Sequence, residues 1–315
     1  MSWIILIQDY LKQRRQLGFE LVNEGHQLLN FARYAEQQKA ELPLTVSLAR
    51  DWAGLAPSGS VFAMARRVSL LRPFSRYLST INPTQPVLPT RLLGPTHRRL
   101  PPFIYTVQDI AGLMAACDSL FSTTGLRPCT IRTLIGLLVT TGLRPGEAVR
   151  LKQQDCDLSR AELTIHCSKS WRHRTVPLSK SAVAALQAYQ YFRDQRSFLR
   201  QSSSFFLLDN GKGLNMDAAD YAFGLLRSHL DLSQQNNGRP PRLYDLRHTF
   251  VCNRLLSWYE ANEPIDSMMP QLSQYIGHKK VSHTYWYIQS MPALMNIAAR
   301  RFDRYNKGHD NELVK

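Results

Sequence analysis

The sequence predicts a mainly α-helical protein with one small β-hairpin, and three observations support this. Apolar residues recur near helical spacing in several long segments. Two short segments, residues 162–165 and 175–178, look like strands, with a basic turn between them. Six prolines lie within residues 82–102, and proline at that density excludes a helix or a central strand. We therefore predict two domains, residues 1–81 and 103–315, joined by a basic, proline-rich linker.

The first domain is predicted to be helical throughout. Apolar residues recur over residues 9–40, which predicts one long helix, although Gly18 and Gly25 weaken that pattern. Thr45 is a candidate N-cap for a short helix, and a longer helix is expected over residues 61–78. Much of the surface of that last helix is basic, which indicates either a solvated face or phosphate contacts. Its arginines are Arg66, Arg67, Arg72 and Arg76.

The second domain starts with a helix at Thr106 and Asp109, which have nearly the spacing of a capping box. An apolar helix follows and ends at Gly142, a candidate C-cap. A short helix, the hairpin and a buried apolar segment come next. Further helices are predicted over residues 180–200, 217–230, 243–261, 269–277, 281–289 and 293–302.

Composition narrows the functional classes. The net charge of +15 favours a polyanionic partner, although an anionic membrane surface would also attract it. No apolar run reaches the roughly 18 residues that a membrane span needs. The N-terminus lacks the features of a signal peptide. The five cysteines form no CxxC pair, so we expect idle thiols in a reducing compartment, no metal site and a cytoplasmic location.

The last third of the chain, residues 241–291, carries residue types that suit chemistry on a phosphate. Arg247, His278 and Tyr287 occur there in order, and Arg144 lies in an earlier segment. Arginines clamp a phosphate through paired N–H donors, and a histidine hydrogen-bonds a phosphate oxygen or carries a proton. A tyrosine can attack phosphorus and become covalently attached. A structural ion pair is the alternative for either arginine alone, but together the residues predict phosphoryl transfer to tyrosine.

Three segments resemble the tyrosine recombinase (phage integrase) family. TGLRPGEAVRL resembles its first arginine box, and YDLRHTF resembles its second. YIGHKKVSHTYWYI resembles the third, in which a Gly-His pair precedes the nucleophilic tyrosine by nine residues, as His278 precedes Tyr287. Order and gaps agree from Tyr105 to Met291. The resemblance implies that the first domain is a helical DNA core-binding domain and the second a catalytic domain, which together clamp a duplex.

The resemblance also implies a role for each matching residue. Arg144 and Arg247 would bind the scissile phosphate. Tyr287 would attack it, giving a 3′-phosphotyrosine and a free 5′-hydroxyl. His278 would hydrogen-bond the phosphate and help activate the tyrosine, and Glu147 would brace the site without reacting.

The resemblance implies that the hairpin supplies the proton donor for the leaving 5′-oxygen. Lys169 stands where the family has its lysine acid, and it would protonate the leaving 5′-oxygen. Its neighbours Arg172 and Arg174 are alternatives for that role and candidate DNA contacts. A solvated turn is the alternative for Lys169.

One position departs from the family pattern. Tyr244 occupies the place of the histidine in the second box. A tyrosine hydroxyl can donate to a phosphate oxygen, but its pKa near 10 makes it a poor proton carrier at neutral pH. His248 comes one residue after Arg247, about 100° away on a helix, so we do not expect it to replace the missing histidine.

Two alternatives exist in the third box. Tyr285 could be the nucleophile, but residues two apart on a helix point in nearly opposite directions, which favours Tyr287. His283 could replace His278, but it lacks the preceding glycine turn, and we expect it at the surface or facing DNA.

The function implied is site-specific recombination of double-stranded DNA, serving integration, excision or transposition of a mobile element. The family implies a homotetramer on two DNA sites, no cofactor and no metal. Accessory DNA-bending or directionality proteins are further expected partners, and the expected location is the cytoplasm, with the nucleoid. The alternatives are a topoisomerase of the same chemistry and a non-catalytic DNA-binding relative, which Tyr244 would fit.

Overall fold

The computed structural model describes residues 2–96, 102–166, 173–196, 202–230, 232 and 240–289. They form two compact units, which lie within residues 1–100 and 101–315. Helices dominate both units, and the sheet found among the described residues has three strands. The prediction of a mainly α-helical protein with a small β-structure is confirmed. No helix in this part of the chain is long and apolar enough to cross a membrane.

The described part of the first unit has four helices, which pack around one aromatic core. Phe31 is its centre, in edge-to-face contact with Trp3 and Trp52. The side chain of Thr45 accepts a hydrogen bond from the backbone N–H of Leu48, so the predicted N-cap is confirmed. The helices are α1 Trp3–Gln16, α2 Val22–Gln37, α3 Val46–Gly54 and α4 Val61–Ile81.

The single helix predicted over residues 9–40 is wrong. The chain turns between α1 and α2, where Gly18 and Leu21 have φ angles of 85° and 44°. Left-handed angles of this kind end a right-handed helix. The turn lets α2 pack against α1, and Leu11 and Leu28 are both buried in the same core. Burial of both apolar faces favours the turn over a straight helix.

The arginines of α4 have different environments. Arg66 and Arg76 are exposed, so phosphate contact stays a prediction for them. Arg67 donates to the carbonyl of Trp52 at 3.0 Å and lies over the indole ring at 4.6 Å. Arg67 therefore has a packing role within the unit.

The start of the proline-rich segment packs on the first unit. Arg72 Nε donates to the carbonyl of Leu88, and Leu88 is buried. Gln85 is also buried and exchanges two hydrogen bonds with the backbone of Leu44, at 2.7 and 3.2 Å. These bonds satisfy buried polar groups that would otherwise be costly.

In the second unit the described residues form eight further α-helices, with the central helix α6 packed against α8 and α10. Thr106 and Asp109 form a complete capping box, as predicted. α8 ends at Asp194, before the predicted end near residue 200. The predicted helix at 293–302 lies outside the described residues. The helices are α5 Val107–Ala116, α6 Leu126–Thr141, α7 Pro145–Val149, α8 Lys180–Asp194, α9 Met216–His229, α10 Asp245–Glu260, α11 Ile265–Tyr275 and α12 Ser282–Gln289.

The sheet is antiparallel with the order β1–β2–β3. β1 is Cys156–Asp157, β2 is Glu162–His166 and β3 is His173–Pro177. The two predicted strands are confirmed to within about two residues at each end, and β1 is an addition. Thr164 pairs with Thr175, which places Leu163 and Val176 opposite each other, both buried in the core.

Candidate active site

Arg144 lies on the turn between α6 and α7. Gly142 ends α6 with a φ of 63°, and Arg144 is the N-cap of α7. Its guanidinium donates to the Glu147 carboxylate at 2.7 Å and to the carbonyl of Gly277 at 2.8 Å. The side chain is 35% exposed. Arg144 is thus held from two sides while part of it still faces solvent.

Glu147 is the carboxylate that joins the hairpin to the first arginine. Arg174 donates to both of its oxygens, at 2.8 and 3.1 Å, and Arg174 Nε donates to the carbonyl of Tyr275. Burial acts to raise the pKa of Glu147, but the hydrogen bonds and charge of Arg174 and the charge of Arg144 lower it to about 2. Glu147 is therefore an anion that accepts hydrogen bonds from both Arg144 and Arg174. Its role in bracing the catalytic site stays a prediction.

Arg247 lies on α10 and is completely buried. Its two terminal nitrogens donate to the carbonyls of Gly142 and Ile276, at 2.8 and 2.7 Å. Among the described residues no carboxylate lies within ion-pair distance of Arg247, and its Nε has no hydrogen-bond partner. Burial and the nearby charge of Arg144 lower its pKa. A buried cation held only by neutral groups is costly, which indicates a site built to receive an anion.

His278 follows the turn after α11. Gly277 has a φ of 71° there, and the backbone N–H of His278 donates to the carbonyl of Ser273. Its Nδ1 is 2.8 Å from the hydroxyl of Thr284. Burial first, and then the charges of Arg247 and Arg144, lower the pKa of His278 to about 3. The imidazole is therefore neutral at physiological pH.

Tyr287 lies on α12 and faces the arginines. It is 2% exposed, and its ring is nearly parallel to that of His278, with 6.3 Å between ring centroids. Burial raises its pKa, while the charge of Arg247 acts in the opposite direction. Tyr285 is 37% exposed, and its hydroxyl donates to Asp266 at 3.2 Å. The two tyrosines therefore point to different sides of α12, as the helical period requires.

His283 lies beside the site. Its side chain is exposed, and its ring centroid is 6.0 Å from that of His278. The surface position expected for it agrees with this placement.

Tyr244 is the residue before α10 and is half-buried. Burial acts to lower the pKa of Arg144, but the Glu147 carboxylate and then the Tyr244 phenol outweigh it and raise that pKa. The Tyr244 ring is also 5.1 Å from the His248 ring. Tyr244 therefore faces the same site as the two arginines.

The structure places His248 in the site, contrary to the direction that its separation from Arg247 predicted for it. Its Nδ1 is 3.0 Å from the hydroxyl of Tyr287. The 100° separation was measured from Arg247, but the relevant neighbour is Tyr244, and residues i and i+4 share one helix face. That four-residue spacing is the sequence signal that would have found His248.

Two predicted residues, Lys169 and Arg172, lie outside the described residues. β3, which begins at the next described residue, is held to the site by Arg174, through Glu147 and the Tyr275 carbonyl. The proton-donor role of Lys169 stays a prediction.

Fold and site together define a class of protein. The site combines a buried arginine bonded to carbonyls, a second arginine at the rim and a shielded tyrosine hydroxyl. This combination suits phosphoryl transfer to tyrosine. The sequence model described as the Phage integrase family matches residues 105–293. The chain belongs to the phage integrase family, and it is an enzyme that cleaves and rejoins DNA strands.

Two relatives match nearly the whole chain, and both are integrase/recombinase-class proteins of Sinorhizobium fredii. Protein y4rB is 35% identical over 303 residues, covering 95% of this chain and 96% of the relative. Protein y4rE is 30% identical over 295 residues, covering 94% of each. This similarity therefore includes the first unit as well as the part matched by the family model.

Solved structures share the fold. The XerH site-specific recombinase, in a post-cleavage complex with its difH substrate, has a TM-score of 0.65 at 19% identity, covering 94% of this chain and 84% of that chain. The Tn1549 transposon integrase, in complex with circular intermediate DNA, has a TM-score of 0.65 at 18% identity, covering 95% and 99%. At these identities the likeness is one of fold.

Proposed function

We propose that this chain recombines double-stranded DNA at specific sites and that Tyr287 forms the covalent 3′-phosphotyrosine intermediate. The observation that carries the proposal is the environment of Arg247. It is a fully buried cation that donates to two carbonyls, and its charge and a side-chain hydrogen bond act on the nearby Tyr287. A phosphate bound there would supply the missing negative charge next to a hydroxyl nucleophile.

The remaining roles follow from position and chemistry. Arg144, partly exposed at the rim, would hold a second non-bridging oxygen of the phosphate while Glu147 fixes its direction. His278, neutral at physiological pH, would hydrogen-bond the phosphate through the ring nitrogen that does not contact Thr284. Fixed donors of this kind stabilise the charge that develops on phosphorus in the transition state. Lys169 would protonate the leaving 5′-oxygen.

The biological setting is a mobile genetic element, with transfer occurring in the cytoplasm on nucleoid DNA. The whole-length relatives are integrase/recombinase-class proteins, and one structural neighbour is a transposon integrase. Exchange between two sites would need four protomers, as the family implies. The exposed arginines Arg66 and Arg76 would add backbone contacts from the first unit.

A nicked suicide substrate made from the DNA that flanks the gene tests the proposal. Loss of the short cleaved fragment traps the covalent adduct, which migrates as a shifted band in a denaturing gel. Wild type and Tyr285→Phe are expected to give the band, and Tyr287→Phe is expected to give none while still binding the DNA. A band from Tyr287→Phe would assign the nucleophile elsewhere.

A second assay separates recombination from topoisomerase activity. Exchange of strands between two labelled sites is expected from a recombinase. Relaxation of a supercoiled plasmid without exchange would favour the topoisomerase alternative. DNA binding with neither activity would favour a non-catalytic relative.

A further inference from the structure

His248 lies in the site without a role in the proposed mechanism. Its Nδ1 is 3.0 Å from the Tyr287 hydroxyl, a normal hydrogen-bond length, and its side chain is 13% exposed. The same ring is 5.3 Å from the Tyr287 ring and 6.0 Å from the Trp286 ring. Packing between α10 and α12 thus fixes the imidazole against the nucleophilic oxygen.

The second ring nitrogen of His248 faces a carboxylate. Nε2 is 4.0 Å from Asp245 Oδ1, beyond hydrogen-bond length but within reach of its charge. Asp245 is buried and also accepts hydrogen bonds from the backbone and side chain of Arg242. When neutral His248 accepts a hydrogen bond from the Tyr287 hydroxyl at Nδ1, its own proton is on Nε2, the nitrogen that faces Asp245. Nucleophile, base and carboxylate therefore stand in the order found in other activated nucleophiles.

We infer that His248 is the general base of this site and takes the proton of Tyr287 during attack. The inference rests on the proposed function. The Tyr287 oxygen forms a bond to phosphorus, its proton moves to His248 Nδ1, and the bond from phosphorus to the 5′-oxygen breaks. A separate acid, for which Lys169 is proposed, protonates that oxygen. In religation the 5′-hydroxyl attacks phosphorus and gives its proton back to the group that served as the acid, for which Lys169 is proposed. The bond from phosphorus to Tyr287 breaks, and the tyrosine oxygen takes back the proton held on His248.

The other groups near the hydroxyl are poorer bases. His278 has a pKa of about 3, because it is buried and lies near two arginines, and its Nδ1 already contacts Thr284. Tyr244 offers a phenol, whose neutral oxygen is a much weaker proton acceptor than an imidazole nitrogen. Among the described residues, the charged group recorded beside His248 is Asp245 from its own helix, and the titratable rings of Tyr244, Tyr287 and His278 also lie near it. Asp245 favours the imidazolium that forms, and Arg247 favours the tyrosinate.

His248→Asn is the decisive variant, because the asparagine side-chain oxygen replaces Nδ1 as an acceptor but takes no proton. His229→Asn is its control, since His229 is an exposed histidine at the end of α9. The rate of adduct formation is measured with excess full-length protein on the nicked substrate from pH 5.5 to 9. We expect a loss on the order of 100-fold or more for His248→Asn, the usual contribution of a general base. The His229→Asn rate should be unchanged.

The pH profile of the reaction rate distinguishes a His248 that accepts the proton from one that only positions Tyr287. The defect of His248→Asn should shrink as pH rises, because tyrosinate formed in solution needs no base. A wild-type rate near that of His248→Asn throughout would overturn the inference, since a hydrogen bond alone would then suffice. If His248→Asn unfolds, the wild-type profile decides. A plateau supports a titrating base, and a log-linear rise to pH 9 contradicts it.

A modified substrate shows whether His248 transfers a proton from the nucleophile or to the leaving group. Sulfur in place of the bridging 5′-oxygen leaves without protonation. Such DNA should restore Lys169→Ala but leave His248→Asn slow. Rescue of His248→Asn would place His248 on the leaving group and refute the inference. Absence of any Tyr287-dependent adduct from wild type would instead refute the proposed function.

Discussion

Two arginine-rich regions of this molecule use the same side chain in opposite ways. On α4, Arg66 and Arg76 are exposed to solvent, where charge is cheap to keep. In the second unit, Arg247 is fully buried, and carbonyl oxygens accept its hydrogen bonds. A solvated arginine adds long-range attraction that salt weakens, whereas a buried arginine holds one anion in a fixed place. The comparison shows that burial, more than residue type, decides whether an arginine can attract anions from a distance or hold one anion in a fixed place.

The substitution with the largest expected effect on activity is Arg247→Lys, which tests the buried arginine of this comparison. Lysine keeps the charge but lacks the planar guanidinium group that donates to the carbonyls of Gly142 and Ile276 at the same time. We expect adduct formation to fall by roughly 100-fold to 1,000-fold, the range for loss of one transition-state donor. Gel-shift measurements should show DNA affinity close to wild type. A rate within a few-fold of wild type would mean that charge alone is sufficient there.

The next effect concerns Glu147, whose buried carboxylate braces Arg144 and Arg174. Its pKa in the folded protein, about 2, lies below its value in the unfolded chain. Its stabilising effect is therefore complete above about pH 4.5 and is lost as pH falls towards 2. The pKa difference corresponds to roughly 3 kcal/mol.

Thermal unfolding of wild type and Glu147→Gln as a function of pH measures this effect. The variant should be less stable at pH 7, and the gap should narrow below pH 4.5. Glu263→Gln is the control, because that residue is exposed in the loop between α10 and α11. A gap that does not depend on pH would show that ionisation of Glu147 does not stabilise the fold.

A smaller effect separates two neighbouring arginines on α4. Arg66→Ala should leave stability unchanged, weaken DNA binding across sequences and reduce its salt dependence by about one counterion. Arg67→Ala should instead lower the free energy of unfolding by about 1 kcal/mol, since it loses the Trp52 carbonyl and ring. If the salt dependence of DNA binding were equal in Arg66→Ala and wild type, Arg66 on the exposed face of α4 would not contact the DNA backbone.

The smallest expected effect is Tyr244→His, which restores the family residue. With His248 already in contact with Tyr287, a second histidine should change the rate far less than the 100-fold that one base contributes. Single-turnover cleavage measures it directly. A large gain would show that Tyr244 had cost the enzyme its base.

The sequence alone determined the helical class, the hairpin and the order of the reactive residues. Local rules were sufficient where the signal is local: the Thr106–Asp109 capping box, the Gly142 helix end and the opposite directions of Tyr285 and Tyr287 all depend on neighbours a few residues apart. The motif spacing also indicated which arginines, histidine and tyrosine belong together.

Tertiary structure decided what depends on distant partners. The turn at Gly18 exists because two apolar faces bury each other, which a periodicity over residues 9–40 does not reveal. His248 and Tyr287 are 39 residues apart, and their contact arises from the packing of α12 on α10. Burial and charge at a site are sums over such contacts, so the neutral His278 and the unpaired Nε of Arg247 emerge only when the chain has folded.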